Sequence, residues 1–234
     1  MPHWLDVKGV LTDHDQMFGP HHVLATAMRG LGIIGRHRRV SRGHLRTDLM
    51  RVESRWEMLV ACLYDDAGQA EASACMERAR TLAIEADDRL MIAYVLVRQS
   101  ERASRAGKSQ EATVLAQAAQ RERGATPHVR ALGLCYEALG HARASENAAC
   151  QNALGKAHEL VDRRHHGVTD SSFEGLGRHY ATRTTVLAGE ARCWLWLGHP
   201  RRAVEAAEGA LTRWPTIRRR GSRLDRHLAA TPRV

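Results

Sequence analysis

Four small residues constrain this chain more than any other feature. Gly68, Gly107, Ser145 and Gly198 each close a run of apolar residues, and the intervals between them are 39, 38 and 53 residues. The first run shows the pattern: Leu45, Leu49, Val52, Trp56, Leu59 and Leu63 recur at steps of three and four, which places them on one face of a helix. A second helical run follows each closing residue after a few polar positions. A sequence that alternates helix, short turn, helix at a near-constant interval buries its apolar faces by stacking helix pairs. Composition agrees. Aromatic residues make up 5% of the chain, and Ala, Leu and Arg outweigh the β-branched residues that strands favour. The expected fold class is all-α.

Along the chain, helical patterning is first legible at Gly19-Pro20, since Pro suits a first helical turn. Glycines at 30, 32 and 35 weaken that helix, and a basic stretch follows it. Breaks are expected at Asp87-Asp88, Gly124 and Gly198-His199-Pro200. Starts are expected at Ser109, with Glu111 behind it, at Pro127 and at Asn147. The polar, glycine-containing segment Arg163–Gly177 reads as a loop and accounts for the long third interval. Three segments result: a helical and basic N-terminal stretch over 1–44, a repeat region over 45–215 with its loop at 163–178, and a basic tail over 216–234.

The formal net charge is +9, and all basic residues except Lys8, Lys108 and Lys156 are arginine. Such a balance attracts polyanions at long range without specifying a fold. Two arginine clusters stand out, Arg36, Arg38, Arg39, Arg42 and Arg46 near the start, and Arg218, Arg219, Arg220, Arg223 and Arg226 in the tail. Neither is interleaved with the aromatic residues that stack on bases, so weak, salt-sensitive attraction to DNA is the most they predict. The five cysteines are odd in number and form no CxxC pair, which predicts buried free thiols in a reducing cytoplasm. No basic run followed by an apolar stretch opens the chain, and no run long enough to span a membrane occurs.

Catalytic signatures are absent. No phosphate-binding glycine loop or nucleophile elbow occurs, and "RGLGIIG" follows no strand. His158, Asp162 and His166 share one helix face at a spacing that can hold a divalent ion, but His near a helix C-terminus is equally favoured by the dipole. No cofactor or metal is expected, and an enzyme built on that trio is the weaker reading.

The run from Leu187 to Pro215 places small residues at fixed points. Counted with Gly198 at position fifteen, Leu187 falls at four, Ala191 at eight, Trp194 at eleven, Ala203 at twenty, Ala210 at twenty-seven and Pro215 at thirty-two. This resembles the tetratricopeptide repeat, a pair of antiparallel helices about 34 residues long. Three further, degenerate repeats end their first helices at Gly68, Gly107 and Ser145. The resemblance implies a right-handed superhelix of about four helix pairs. The phrases "YDDAGQ", "MERARTLAIEADDRLMIAYVLVRQS", "VRALGLCYEALGHA" and "CWLWLGHPRRAVEAAEGALTRWP" resemble a narrower group, the tetratricopeptide-like C-terminal regions of actinomycete helix-turn-helix transcriptional regulators. In that group an N-terminal domain reads DNA. No helix pair around a tight turn is legible before Leu45, so that half is expected to be missing. The resemblance then implies a cytoplasmic, non-enzymatic module that binds a protein or peptide. Its groove would be lined by Arg55, Tyr94, Glu101, Arg105, Arg143, Arg192 and Trp196, with arginines converging beside aromatic rings. A regulator touching DNA through its basic segments is the alternative.

Overall fold

The structure, a computed structural model, describes residues 2–162 and 183–213. Among these residues every regular element is an α-helix: α1 (Pro2–Phe18), α2 (Pro20–Val40), α3 (Gly43–Asp66), α4 (Ala72–Glu85), α5 (Arg89–Arg105), α6 (Ser109–Arg121), α7 (Pro127–Arg143), α8 (Asn147–Asp162), α9 (Arg183–Trp196) and α10 (Pro200–Arg213). None of these helices is long and apolar enough to cross a membrane. The expected loop at 163–178 and the basic tail lie outside the described residues. Two compact units divide the chain, one up to Val95 and one from Leu96, with the division inside α5.

Neighbouring helices pack in pairs, and one turn recurs between the partners. Gly68, Gly107, Ser145 and Gly198 all have positive φ, at 71°, 79°, 61° and 74°. After each, the next amide reaches back across the helix end: Gln69 N–H to Tyr64 C=O, Lys108 to Ala103, Glu146 to His141 and His199 to Trp194, at 2.8–3.0 Å. This left-handed cap satisfies carbonyls that a helix terminus leaves open. Glycine adopts it freely, whereas Ser145 carries a Cβ into it and is strained. Asp87 makes a related turn at φ 46°, and Asp88 then caps α5 by accepting from the Met91 amide at 3.1 Å. The capping expected of Ser109 is not made. It is the first helical residue, and Lys108 before it supplies no side-chain cap.

The first unit corrects the reading of the N-terminus. Residues 2–40 form two helices, not one, and α1 had no clear pattern. α1 is held by tertiary contacts: the Trp4 and Trp56 rings meet edge to face at 5.7 Å, and Trp56 Nε1 donates to the Trp4 carbonyl. The glycines of α2 have a packing role. A Cβ on Gly30 would lie 2.3 Å from the Trp56 ring, and one on Gly35 would lie 3.1 Å from Glu53 Oε1. They let α2 approach α3 closely. Met28 meets Tyr64, Gly30 meets Trp56, and Gly35 and Arg38 meet Glu53. Partners descend along α3 as they rise along α2, so the two helices form an antiparallel hairpin. Within α3 and α4, the Ser54 hydroxyl donates to the buried Ala79 carbonyl at 2.7 Å.

In the second unit α7 is central, packing against α6, α8 and α9, and α9 pairs with α10. Small residues again set the spacing. A Cβ on Gly140 would lie 2.0 Å from Thr113 Oγ1, and one on Gly189 would lie 3.3 Å from Cys135 Cβ. Ala112, Ala116, Ala119, Ala138, Ala142 and Ala210 are fully buried, and Ala203 nearly so. The Ser100 hydroxyl donates to the Ala112 carbonyl at 2.7 Å, which ties the start of α6 to the second half of α5.

Candidate functional site

The seven groove residues divide between the units. In the first, Arg55 donates to Asp88 at 2.5 Å, with both side chains largely buried. Arg55 Nη1 also donates to the Arg51 carbonyl. Its charge is neutralised inside the protein. Tyr94 is buried. Both residues support the fold locally, and neither presents an open surface.

The remaining five lie in the second unit, on α5, α7 and α9. Glu101 is buried and pairs with Arg98, one turn away on α5. Arg105 is exposed. Arg143, in the last turn of α7, donates to the Ser104 carbonyl, and its guanidinium lies 4.5 Å from the centre of the Trp196 ring. Trp196 ends α9 and is 39% exposed, so its outer face is open to solvent. Arg192, one turn earlier on α9, lies over the Tyr136 ring at 5.7 Å. Stacking on an aromatic face orients a guanidinium while leaving its charge in place.

Electrostatics bind these groups together. Burial, and then the neighbouring Arg192 charge, hold the Arg143 guanidinium below its usual range. The Nε of Arg143 is buried and has no hydrogen-bond partner. Burial pushes the Tyr136 phenol up, and the Glu101 carboxylate adds to that, while Arg192, Arg98 and Arg105 oppose it. Burial also pushes the Cys135 thiol up to about 12, so it is an inert part of the core. Among the described residues, neither Arg143 nor Arg192 makes an ion pair, but the two differ: burial lowers the Arg192 guanidinium, and Tyr136 and the Glu101 carboxylate outweigh it and hold the group above its usual range. The site therefore presents adjacent cations backed by aromatic rings, an arrangement suited to carboxylates arriving from outside.

The sequence brought Arg143, Arg192 and Trp196 to one place and missed Tyr136. Tyr136 lies on α7 two turns before Arg143. An aromatic residue on α7 opposite an arginine on α9 was the available signal.

The metal trio does not assemble from the described residues. His158 Nε2 lies 2.8 Å from Glu190 Oε2, and Arg183 donates to Asp162 at 3.0 Å. The His158 hydrogen bond, helped by one from Trp194, holds the Glu190 carboxyl below the usual carboxylate range. His166 lies outside the described residues. No group of three or more metal-ligating side chains occurs among those described. All five cysteines are buried and free. In the basic stretch Arg38 forks onto Glu53, whereas Arg36, Arg39, Arg42 and Arg46 are exposed. The tail arginines lie outside the described residues. No family model matches this chain, and no curated protein or solved structure does either.

Proposed function

We propose that this chain is a non-enzymatic repeat module that binds an acidic, extended polypeptide in the cytoplasm. In this reading α3–α10 form four tetratricopeptide-like pairs of a right-handed superhelix, related to the partner-binding half of actinomycete helix-turn-helix regulators. The four identical turns and the buried alanines of α10 support the repeat assignment. One observation carries the binding assignment: Arg143 and Arg192 are adjacent, make no ion pair among the described residues, and lie over the Trp196 and Tyr136 rings. An acidic segment running past the ends of α7 and α9 supplies a counter-charge to Arg143 and adds to that of Glu101 at Arg192, and Trp196 offers an apolar face beside them.

The test is fluorescence anisotropy with a labelled glutamate-rich peptide and a scrambled, lysine-rich control. The acidic peptide should bind, and Arg143→Glu with Arg192→Glu should weaken it about thirtyfold or more. Trp196→Ala touches an exposed ring and tests the same face if the charge reversals perturb folding. Equal binding by the parent and all variants excludes this face.

The exposed arginines Arg36, Arg39, Arg42 and Arg46 favour one subsidiary property, weak retention on DNA of any sequence. Such retention falls steeply with salt, because it depends on counterion release from phosphates. Sequence-specific DNA binding at physiological salt would make DNA the partner in place of a peptide.

A further inference from the structure

The second unit holds a cavity of about 340 Å³ with walls from α6 and α8 and a floor from α7. Nothing in the proposed peptide site uses it. Its size is at the small end of the range for small-molecule sites.

Glu137 stands at the centre of the lining. Gln117 donates to Glu137 Oε1 at 2.9 Å, and Gln120 donates to Oε2 at 2.6 Å. Two amides from α6 thus fix the orientation of one partly buried carboxylate. Each carboxylate oxygen accepts two hydrogen bonds, so acceptor capacity remains on both. His141 lies 3.7 Å from Glu137 and turns its other nitrogen to Glu146 at 2.5 Å. Arg121 on α6 and Asn152 and Lys156 on α8 add to the polar lining. Neither Arg121 nor Lys156 makes an ion pair among the described residues. Leu134 on the floor and Ala153 on the α8 wall supply a small apolar patch.

We propose that this cavity binds a small zwitterion, an α-amino acid, with its ammonium on Glu137 and its carboxylate toward Arg121 and Lys156. A simple anion meets repulsion from the fixed Glu137 carboxylate, and a simple cation meets repulsion from Arg121 and Lys156. A short molecule carrying both charges satisfies both sets. The amide clamp on Glu137 means the acceptor is already oriented before the ligand arrives.

The experiment is calorimetric titration and thermal shift with each of the protein amino acids in turn. Propionate and propylamine serve as controls carrying one charge each. At least one amino acid should bind saturably and raise the melting temperature, and neither control should do so. Glu137→Gln and Lys156→Met should each weaken that binding about tenfold or more. Lys156 is exposed, so its variant keeps the fold and carries the test alone if Glu137→Gln disturbs the amide network. The proposal is overturned if no amino acid binds at up to about 10 mM, well above specific affinities. It is equally overturned if either control binds as well as the amino acids, or if Lys156→Met binds unchanged.

Discussion

The two units treat arginine in opposite ways. In the first, Arg38 forks onto Glu53, Arg55 reaches Asp88 and Arg78 reaches Glu57. In the second, Arg143 lies on Trp196, Arg192 on Tyr136 and Arg202 on Trp194. A carboxylate orients a guanidinium and cancels its charge; an aromatic ring orients it and leaves the charge available. The first unit therefore uses arginine to join helices, and the second sets three arginines on rings. The second unit is not uniform, since Arg98 and Arg183 pair with Glu101 and Asp162. The contrast is sharpest where α7 meets α9.

The largest test of this contrast removes a first-unit carboxylate. Asp88→Ala strips the buried partner of Arg55 and the cap of α5. It should cost about 3–5 kcal/mol, the usual penalty for leaving a buried charge unpaired. Urea denaturation measures it. A cost below about 1 kcal/mol, the range of exposed pairs, would place the first unit's arginines in the same class as the second's.

Lys8 is the first unit's exception, a buried cation with no ion pair among the described residues. Its pKa is lowered from an ordinary 10.5 to about 8, chiefly by burial, with Cys62 opposing the shift and the Arg55 charge adding to it. Between those values the unfolded chain binds more protons than the folded one, so the Lys8 contribution to stability rises with pH through that window. The full rise is about 3 kcal/mol. Cys135 works in the opposite sense at higher pH, because its folded pKa is raised. The readout is therefore the difference between the parent and Lys8→Met, measured by denaturation from pH 7 to 10.5. A pH-independent difference would show that Lys8 keeps its ordinary proton affinity.

A smaller effect is expected from Trp196→Ala. Removing an exposed ring from beneath Arg143 should cost about 0.5–1 kcal/mol in stability, because the guanidinium has no buried carboxylate to abandon. A thermal melt decides it. A loss comparable to that of Asp88→Ala would mean the ring is a structural partner in the way Asp88 is.

The smallest change concerns the turn that both units share. Ser145→Gly should stabilise the second unit by about 0.5 kcal/mol, the relief of left-handed strain less the added freedom of the unfolded chain. The other turns already have glycine and offer no such gain. A destabilised variant would mean that the Ser145 side chain supports the turn.

The helix pairs and their turns were legible because their signals are local. A left-handed turn needs a small residue at one position, and Gly68, Gly107, Ser145 and Gly198 each occupy that position. The break at Asp87-Asp88 was legible for the same reason. α1 was not. Its residues lack a strong apolar stripe, and its place depends on Trp4 meeting Trp56 more than fifty residues away. Gly30 and Gly35 were misleading for a related reason. Judged by local propensity they weaken a helix; against Trp56 and Glu53 they are what allows α2 to pack.

The candidate site divides along the same line. Helix spacing in the sequence was enough to place Arg143, Arg192 and Trp196 near one another. It could not show that Arg55 is neutralised by Asp88, that Tyr94 and Glu101 are buried, or that Tyr136 supports Arg192. By itself the sequence determined an all-helical chain, the residues that close four of its helices and the faces its arginines occupy, because helix period and turn chemistry act over a few residues. Tertiary structure alone decided which arginines meet a carboxylate and which meet a ring. That choice depends on side chains far apart in sequence packed within a few ångströms, where burial sets the cost of an unpaired charge.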